Sequence, residues 1–195
     1  MRNNFISIVV GLLALFTACS REQMLAPHSV EVEGLFSVAI PKNLTPCNDL
    51  HEFASLQVSD ERGDYFLIGI VEPKAALQDL EVQYSLGDYA YFAESTLRNV
   101  FDRVSVCHRD SLVVNGLPCQ TADFFVTVDD EDEPLEVYYH LSIFEGRDRF
   151  YQLIAWSPRR QGVIWNQAMK SVDQSFCELQ QAEDVLRTAS AERTR

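Results

Sequence analysis

Histidines, cysteines and a few short charged runs hold most of this chain's capacity for chemistry, so their spacing decides which reactions are open to it. His28, His51, His108 and His140 lie far apart and share no metal-ligand spacing. His140 falls inside the apolar run Val137 to Phe144, where a strand residue with a satisfied ring nitrogen is expected in preference to a general base. Cys107-His108 is an adjacent thiol–imidazole pair, but neighbours in a strand point to opposite faces, which argues against mutual activation. The acidic run Asp129-Asp130-Glu131-Asp132-Glu133 offers oxygen ligands of the kind calcium takes. It lacks the glycine and spaced glutamate of an EF-hand loop and is expected to be a solvated hairpin tip. Trp156-Ser157-Pro158-Arg159-Arg160 sets arginine forks beside an indole, which could meet an anion; a sheet-to-helix connection whose arginines answer local acids is the expected reading. There is no G-x-S-x-G elbow, P-loop, G-x-G-x-x-G or H-E-x-x-H. Accordingly no catalytic residue, metal ion or cofactor is assigned.

The remaining chemistry is at the N-terminus. Met1 to Asn4 carry one cation, and Phe5 to Phe16 form an apolar stretch of twelve residues. As a helix it reaches about 18 Å, short of the roughly 30 Å hydrocarbon core, so it reads as an export signal and not a span. Phe16-Thr17-Ala18-Cys19 follows directly and resembles the lipobox of bacterial lipoproteins. Ordinary signal-peptidase cleavage after Ala18 fits less well, because that enzyme wants a small residue where Phe16 stands. The resemblance implies a signal peptide at 1–18 and a diacylglycerol thioether on Cys19, with a further chain such as palmitate on its amine. Two or more acyl chains hold a protein stably on a membrane, where one holds marginally. Ser20 is not the aspartate that retains lipoproteins in the inner membrane, so the outer membrane, facing the periplasm, is the expected site.

The elements that must position any site come next. The chain has 195 residues, 47% hydrophobic and 23% charged, which suits one globular domain with short appendages. A formal net charge of −13 leaves no excess cation to displace counterions from a phosphate backbone, so nucleic-acid binding is not expected. Residues 19–32 read as a lipidated N-terminus and polar tether, 33–178 as the folded domain, and 179–195 as a charged tail. With Cys19 lipidated, Cys47, Cys107, Cys119 and Cys177 remain in an oxidising compartment; two disulfides or four free thiols both fit. Strand-like alternation marks Phe36 to Ile40, Phe53 to Val58 and Tyr65 to Val71. Between Ser85 and Phe101 apolar residues recur at three- and four-residue spacing, from Leu86 through Tyr89, Ala93 and Leu97 to Val100, while Asp88, Glu94 and Arg98 lie largely elsewhere. Ser85 is the expected N-cap.

A meander follows: Val104 to Val106, Leu112 to Val114, the turn Asn115-Gly116, Leu117 to Val128, Leu135 to Phe144 and Arg149 to Trp156. Ser157-Pro158 reads as N-cap and first residue of a second helix, with Trp165, Ala168, Met169, Val172 and Phe176 on one side.

On Phe36 to Pro41, on Val113-Val114-Asn115-Gly116-Leu117-Pro118, on the strand pair Tyr138 to Phe144 and Phe150 to Trp156, and on the closing Ser171 to Phe176, the chain resembles the PsbP/DcrB-like group of small secreted and lipid-anchored domains. That resemblance, over about residues 33 to 178, implies an α+β fold in which an antiparallel sheet is flanked by helices as an α/β/α sandwich. The group carries no common catalytic constellation, so it transfers no functional residue. The expected function is a lipid-anchored, non-catalytic binding or accessory module of an envelope assembly, held to the membrane through Cys19 and meeting a protein partner. The rivals are an envelope enzyme whose site is assembled from separate strands, and a small-ligand carrier with a deep apolar cavity.

The acidic run yields a test. Replacing all five acids of Asp129 to Glu133 by Asn and Gln should leave the melting temperature insensitive to calcium in both forms. A calcium-dependent rise of several degrees in wild type, lost in the variant, would restore the metal site.

Overall fold

The computed structural model describes residues 27–78, 84–101, 103–128 and 134–179. The expected signal peptide 1–18, Cys19, the acidic run Asp129 to Glu133 and residues 180–195 lie outside them. No helix among the described residues is long and apolar enough to cross a membrane.

Alternation builds the meander first. Strands β4 (Ala54–Asp60), β5 (Phe66–Pro73), β6 (Arg103–Val114), β7 (Leu117–Val128), β8 (Leu135–Glu145) and β9 (Arg149–Pro158), with the short β3 (Leu44–Pro46), form a seven-stranded antiparallel sheet in the order β3-β4-β5-β9-β8-β7-β6. Because side chains alternate between faces, each strand feeds two cores. On one face Phe124, Val126, Leu141, Ile143 and Phe150 meet Tyr89, Ala93 and Leu97 of helix α2 (Leu86–Val100), with Leu77 of the short helix α1 (Lys74–Gln78) beside them. On the other, Tyr138, Phe144, Tyr151 and Leu153 meet Trp165, Met169 and Val172 of helix α3 (Gly162–Ser175) and the adjoining Phe176. Burying each such large side chain is worth about 1.5–3 kcal/mol. The fold is α+β, with helices on both faces of an antiparallel sheet, as expected.

That second face is also covered by a small sheet in the order β1-β2-β10, made of β1 (Pro27–Val32), β2 (Phe36–Pro41) and β10 (Cys177–Glu178). The folded unit therefore opens at Pro27, inside the segment expected to be tether. Val30 and Val32 pair with Val38 and Phe36, and the turn is closed by Glu33 and Gly34, both at positive φ (50° and 67°). Two valines in a polar stretch were too few to signal a strand, but β2 supplies the ladder. The Phe36 ring lies across β5 at Gly69, where an added Cβ would stand 3.2 Å from Phe36 Cζ and 3.1 Å from Leu56 Cβ. A side chain at that position would have to push Leu56 and the Phe36 ring aside by a few tenths of an ångström. At the far end Leu179 N donates to Leu35 O at 2.9 Å, so the first residue of the expected tail belongs to the fold.

Helix α2 begins as its sequence predicts. Asp88 N donates to Ser85 Oγ at 3.2 Å and Ser85 N to Asp88 Oδ2 at 3.1 Å, a reciprocal capping box. Two residues depart from the expected faces: Val100 is exposed and Glu94 is buried. The second helix starts later than expected. Ser157 and Pro158 remain in β9, opposite Tyr138 and Val137, and a 3₁₀ turn (Arg159–Gln161) leads to Gly162. Ser157 is fully buried, and a proline at a strand's last position forfeits little of the ladder. The two short strands expected from Val104 to Val114 are one strand of twelve residues, β6, with its register shifted between Val106 and His108.

At the β6–β7 hairpin Asn115 and Gly116 have φ of 49° and 85°, the pair a type I′ turn requires. Gly116→Val should lower stability by about 1–3 kcal/mol, the usual cost of a strained backbone conformation. An unchanged denaturant midpoint would contradict this.

Candidate functional site

The polar groups of this protein gather at two places, one sealed and one open. The sealed place joins α3 to the sheet. Asp123 of β7 and Tyr138, His140 and Ser142 of β8 face Asn166 and Asp173 of α3. His140, 4% exposed, lies between two carboxylates: Nδ1 is 2.6 Å from Asp123 Oδ1 and Nε2 is 2.8 Å from Asp173 Oδ2. Tyr138 OH donates to Asp123 Oδ1 at 2.6 Å, and Asn166 Nδ2 donates to Asp123 Oδ2 at 3.1 Å. Burial alone would lower the His140 pKa, but the hydrogen bonds it donates to both carboxylates outweigh it and raise it to about 9. Burial likewise opposes ionisation of Asp123, yet the bonds from His140 and Tyr138 hold its carboxyl below the usual range. The ring is thus an imidazolium with both N–H groups donating.

Ser142 Oγ stands 3.0 Å from His140 Nε2, so Ser142, His140 and Asp123 have the order of a nucleophile, a base and its orienting acid. The chemistry does not follow from the order. Ser142 has no exposed surface, and a protonated ring already committed to Asp173 cannot take the serine proton. The cluster works as a cross-brace. His140 is, as expected, a strand residue with its ring satisfied, but its two carboxylate partners, Asp123 and Asp173, share no sequence spacing with it.

The other expected sites resolve individually. Cys107 is the extra residue of the β6 bulge, so strict alternation does not separate it from His108 as the sequence reading held. It is nonetheless not activated: burial pushes its pKa up, and its thiol donates to Ser105 O at 3.6 Å. Cys47, Cys107, Cys119 and Cys177 stand as free thiols, Cys119 buried and raised by that burial, Cys107 and Cys177 exposed. Arg159 pairs with Glu136 and lies 4.4 Å from the Phe125 ring centroid, while Arg160 Nη2 reaches Asp64 Oδ1 at 3.2 Å. These arginines answer local acids. Among the described residues, no group of three or more histidine, cysteine or acidic side chains is arranged to hold a metal ion.

The open place is a half-open cleft of about 360 Å³ between α2 and strands β6 to β8. Ala90, Ala122, Leu141 and Ile143 form an apolar floor, and Tyr91, Arg109 and Gln120 stand at its rim. At one end Glu94 receives two guanidinium groups: Arg98 Nη2 at 2.7 Å and Nε at 3.0 Å, and Arg109 Nη2 at 2.5 Å and Nε at 3.1 Å. Those bonds overcome burial and hold the Glu94 carboxyl low. The bulge makes this contact. Before it, Val104 and Val106 face the α2 core; after it, Leu112 joins the opposite core and Arg109 turns towards α2. Neither Glu94 nor Arg109 carries a local signal of this role, since a lone acid on a helix and a charged strand residue have the pattern of solvated positions.

No protein-family model matches the chain, and no curated protein matches its sequence. Solved structures do match in shape. Cyanobacterial PsbP (CyanoP) from Synechocystis sp. PCC 6803 superposes with a TM-score of 0.56 at 13% identity, over 79% of this chain and 93% of that one. The fold is PsbP/Mog1-like. The Saccharomyces cerevisiae Ran-binding protein Mog1p gives a TM-score of 0.56 at 13% identity, over 78% and 95% of the two chains. LpqN, involved in cell envelope biogenesis of Mycobacterium tuberculosis, gives 0.51 at 10% identity, over 82% and 94%. At these identities the likeness is one of fold.

The brace sets a pH dependence. The His140 pKa rises on folding from an ordinary 6.5 to about 9, so the folded state holds an extra proton between those values. Its stabilisation is complete below pH 6.5 and is lost as pH climbs through about 9. Denaturant midpoints measured from pH 6 to about 9.5 should fall in wild type and stay nearly level in His140→Gln. Parallel curves would refute the assignment. Asp173→Ala, which leaves a buried cation short of a partner, should cost about 3–5 kcal/mol.

Proposed function

We propose that this protein is a lipid-anchored domain of the bacterial cell envelope that acts by binding a partner protein, without catalysis of its own. The observation that carries the reading is Phe16-Thr17-Ala18-Cys19 at the end of an apolar export signal, a few residues before the first strand at Pro27. The geometry supports a binding role. Among the described residues the triad-like arrangement is buried around a protonated ring, whereas the open cleft pairs Glu94 with Arg98 and with an Arg109 that is still 56% exposed. A shared fold with LpqN, a protein of cell envelope biogenesis, supports the compartment. Ser20 favours the outer membrane, with the domain facing the periplasm. The cleft is shallow and polar-rimmed, which favours a protein segment over the enclosed apolar cavity of a lipid or small-ligand carrier.

Metabolic labelling of intact cells with an alkyne fatty acid should mark the wild-type chain. Cys19→Ser should carry no label and accumulate as an unprocessed precursor. Crosslinking in the same cells should recover a neighbouring envelope protein with wild type and lose it with Cys19→Ser. An unlabelled wild-type chain would overturn the anchor, and a labelled chain that crosslinks to nothing would overturn the binding role.

A further inference from the structure

We propose that the outer edge of β6 and the cleft beside it receive an extended acidic segment of the partner protein, which adds a strand to the sheet and sets a carboxylate against Arg109. The inference rests on the binding role proposed above and specifies where and how the partner docks.

Three observations converge. First, the two edges of the large sheet differ: β3 has three residues and ends in Pro46, whereas β6 has twelve, and no described strand pairs with its outer side. Beyond the bulge, His108 to Val114 keep unbroken register with β7, so this stretch is a regular edge without the irregularity that normally blunts one. Main-chain donors and acceptors along such an edge bind another strand whatever its sequence. Second, Arg109 and Ser111 of this same stretch form a wall of the cleft, whose floor is apolar. A strand laid along β6 would direct alternate side chains towards that face, so edge and cleft act on one ligand, the first supplying affinity and the second selectivity.

Third, the charge here runs against that of the chain. The protein as a whole carries −13, yet at the cleft one carboxylate, Glu94, serves two guanidinium groups, Arg98 and Arg109. One positive charge is left over. Arg109 is 56% exposed and keeps donors turned to solvent. Nearby acids do not cancel it. Asp110 also lines the cleft, but its carboxylate is engaged by Ser111 N at 2.8 Å and acts electrostatically on Cys119, which packs on the opposite face, while Asp88 is held at the helix cap by Ser85 Oγ at 2.6 Å. Arginine forks select carboxylates, which makes the occupant acidic. A second copy of this chain is a poor occupant, since two bodies of net −13 repel.

The test uses the full purified chain and two short fluorescent peptides, acetyl-Thr-Val-Glu-Val-Thr-Val-amide and its counterpart with Lys for Glu. Fluorescence anisotropy at low salt should show the Glu peptide binding at least about tenfold more tightly than the Lys peptide, with the difference shrinking as salt rises. Hydrogen exchange at saturation should slow at amides between His108 and Val114. Arg109→Gln should weaken the Glu peptide about tenfold and Arg109→Lys should recover part of the loss. Ala90→Leu, which fills the cleft floor without altering charge, should weaken both peptides, and melting curves of the variants confirm that each is folded. No binding of the Glu peptide, equal binding of the two peptides, or protection elsewhere on the molecule would overturn the proposal. If the peptide fails while the anchored chain still crosslinks to a partner in cells, the edge site falls and the binding role stands.

Discussion

An imidazolium held between two buried carboxylates is the constraint on which the arrangement of layers depends. Apolar packing tells helix α3 to lie on the sheet, but packing alone tolerates sliding by a turn, since Trp165, Met169 and Val172 present a stripe and not a single socket. The contacts of Asp173 and Asn166 with His140, Tyr138 and Asp123 have no such tolerance, because each buried group loses its partner if the helix shifts. A buried ion pair is a doubtful source of net stability, as desolvation offsets much of the attraction. Its contribution here is a unique register between α3 and β8. Around that fixed helix the small sheet is then assembled: Ser175 Oγ accepts from Ala39 N at 2.8 Å, and the chain turns directly into β10 against β2.

A second constraint acts on the opposite face through one inserted residue. Without the bulge at Cys107, strand β6 would keep the parity of Val104 and Val106 to its end. Arg109 would then face α3, and Glu94 would be buried beneath α2 with Arg98 as its sole guanidinium. The bulge exchanges the two faces midway along the strand, so its first half packs against one helix and its last residues, Leu112 and Val114, against the core of the other. The same shift sets Arg109 and Ser111 along the cleft, where unbroken alternation would have turned His108 and Asp110 towards α2.

How much of this could be read from the sequence follows from the range of the interactions. The Ser85 cap, the Asn115-Gly116 turn, the amphipathic run of α2 and the alternation in β2, β8 and β9 are signalled by residues within a few positions of one another, and they appear as expected. Ser157-Pro158 is an equally good local signal and misleads, because pairing of β9 with β8 carries the strand past it. β1 is the reverse case: its own residues barely ask for a strand, and β2 imposes one. The brace joins Asp123, the pair Tyr138 and His140 on one strand face, and Asn166 and Asp173 on one helix face, three pieces that only the topology brings together. Glu94 and Arg109 were unreadable for a related reason, since the bulge that joins them exists to satisfy contacts made across space.

The hairpin of β1 and β2 also has a mechanical character. Its closed end is the turn at Glu33 and Gly34, and its open end is the pair Pro27 and Pro41. Under the anchoring proposed above, tension from Cys19 would enter at the open end and, directed away from the sheet, would act on one rung of the ladder at a time instead of shearing all six together. Strands loaded in that way peel. The first rungs to part hold exposed residues, whereas Val30 and Val32, nearer the turn, carry the apolar contacts. Peeling β1 would free about 20 Å of chain, at about 3.3 Å for each of its six residues, without breaking a pairing of the seven-stranded sheet. With the proposed anchor at Cys19, the edge of the fold would double as a reserve of slack between membrane and domain.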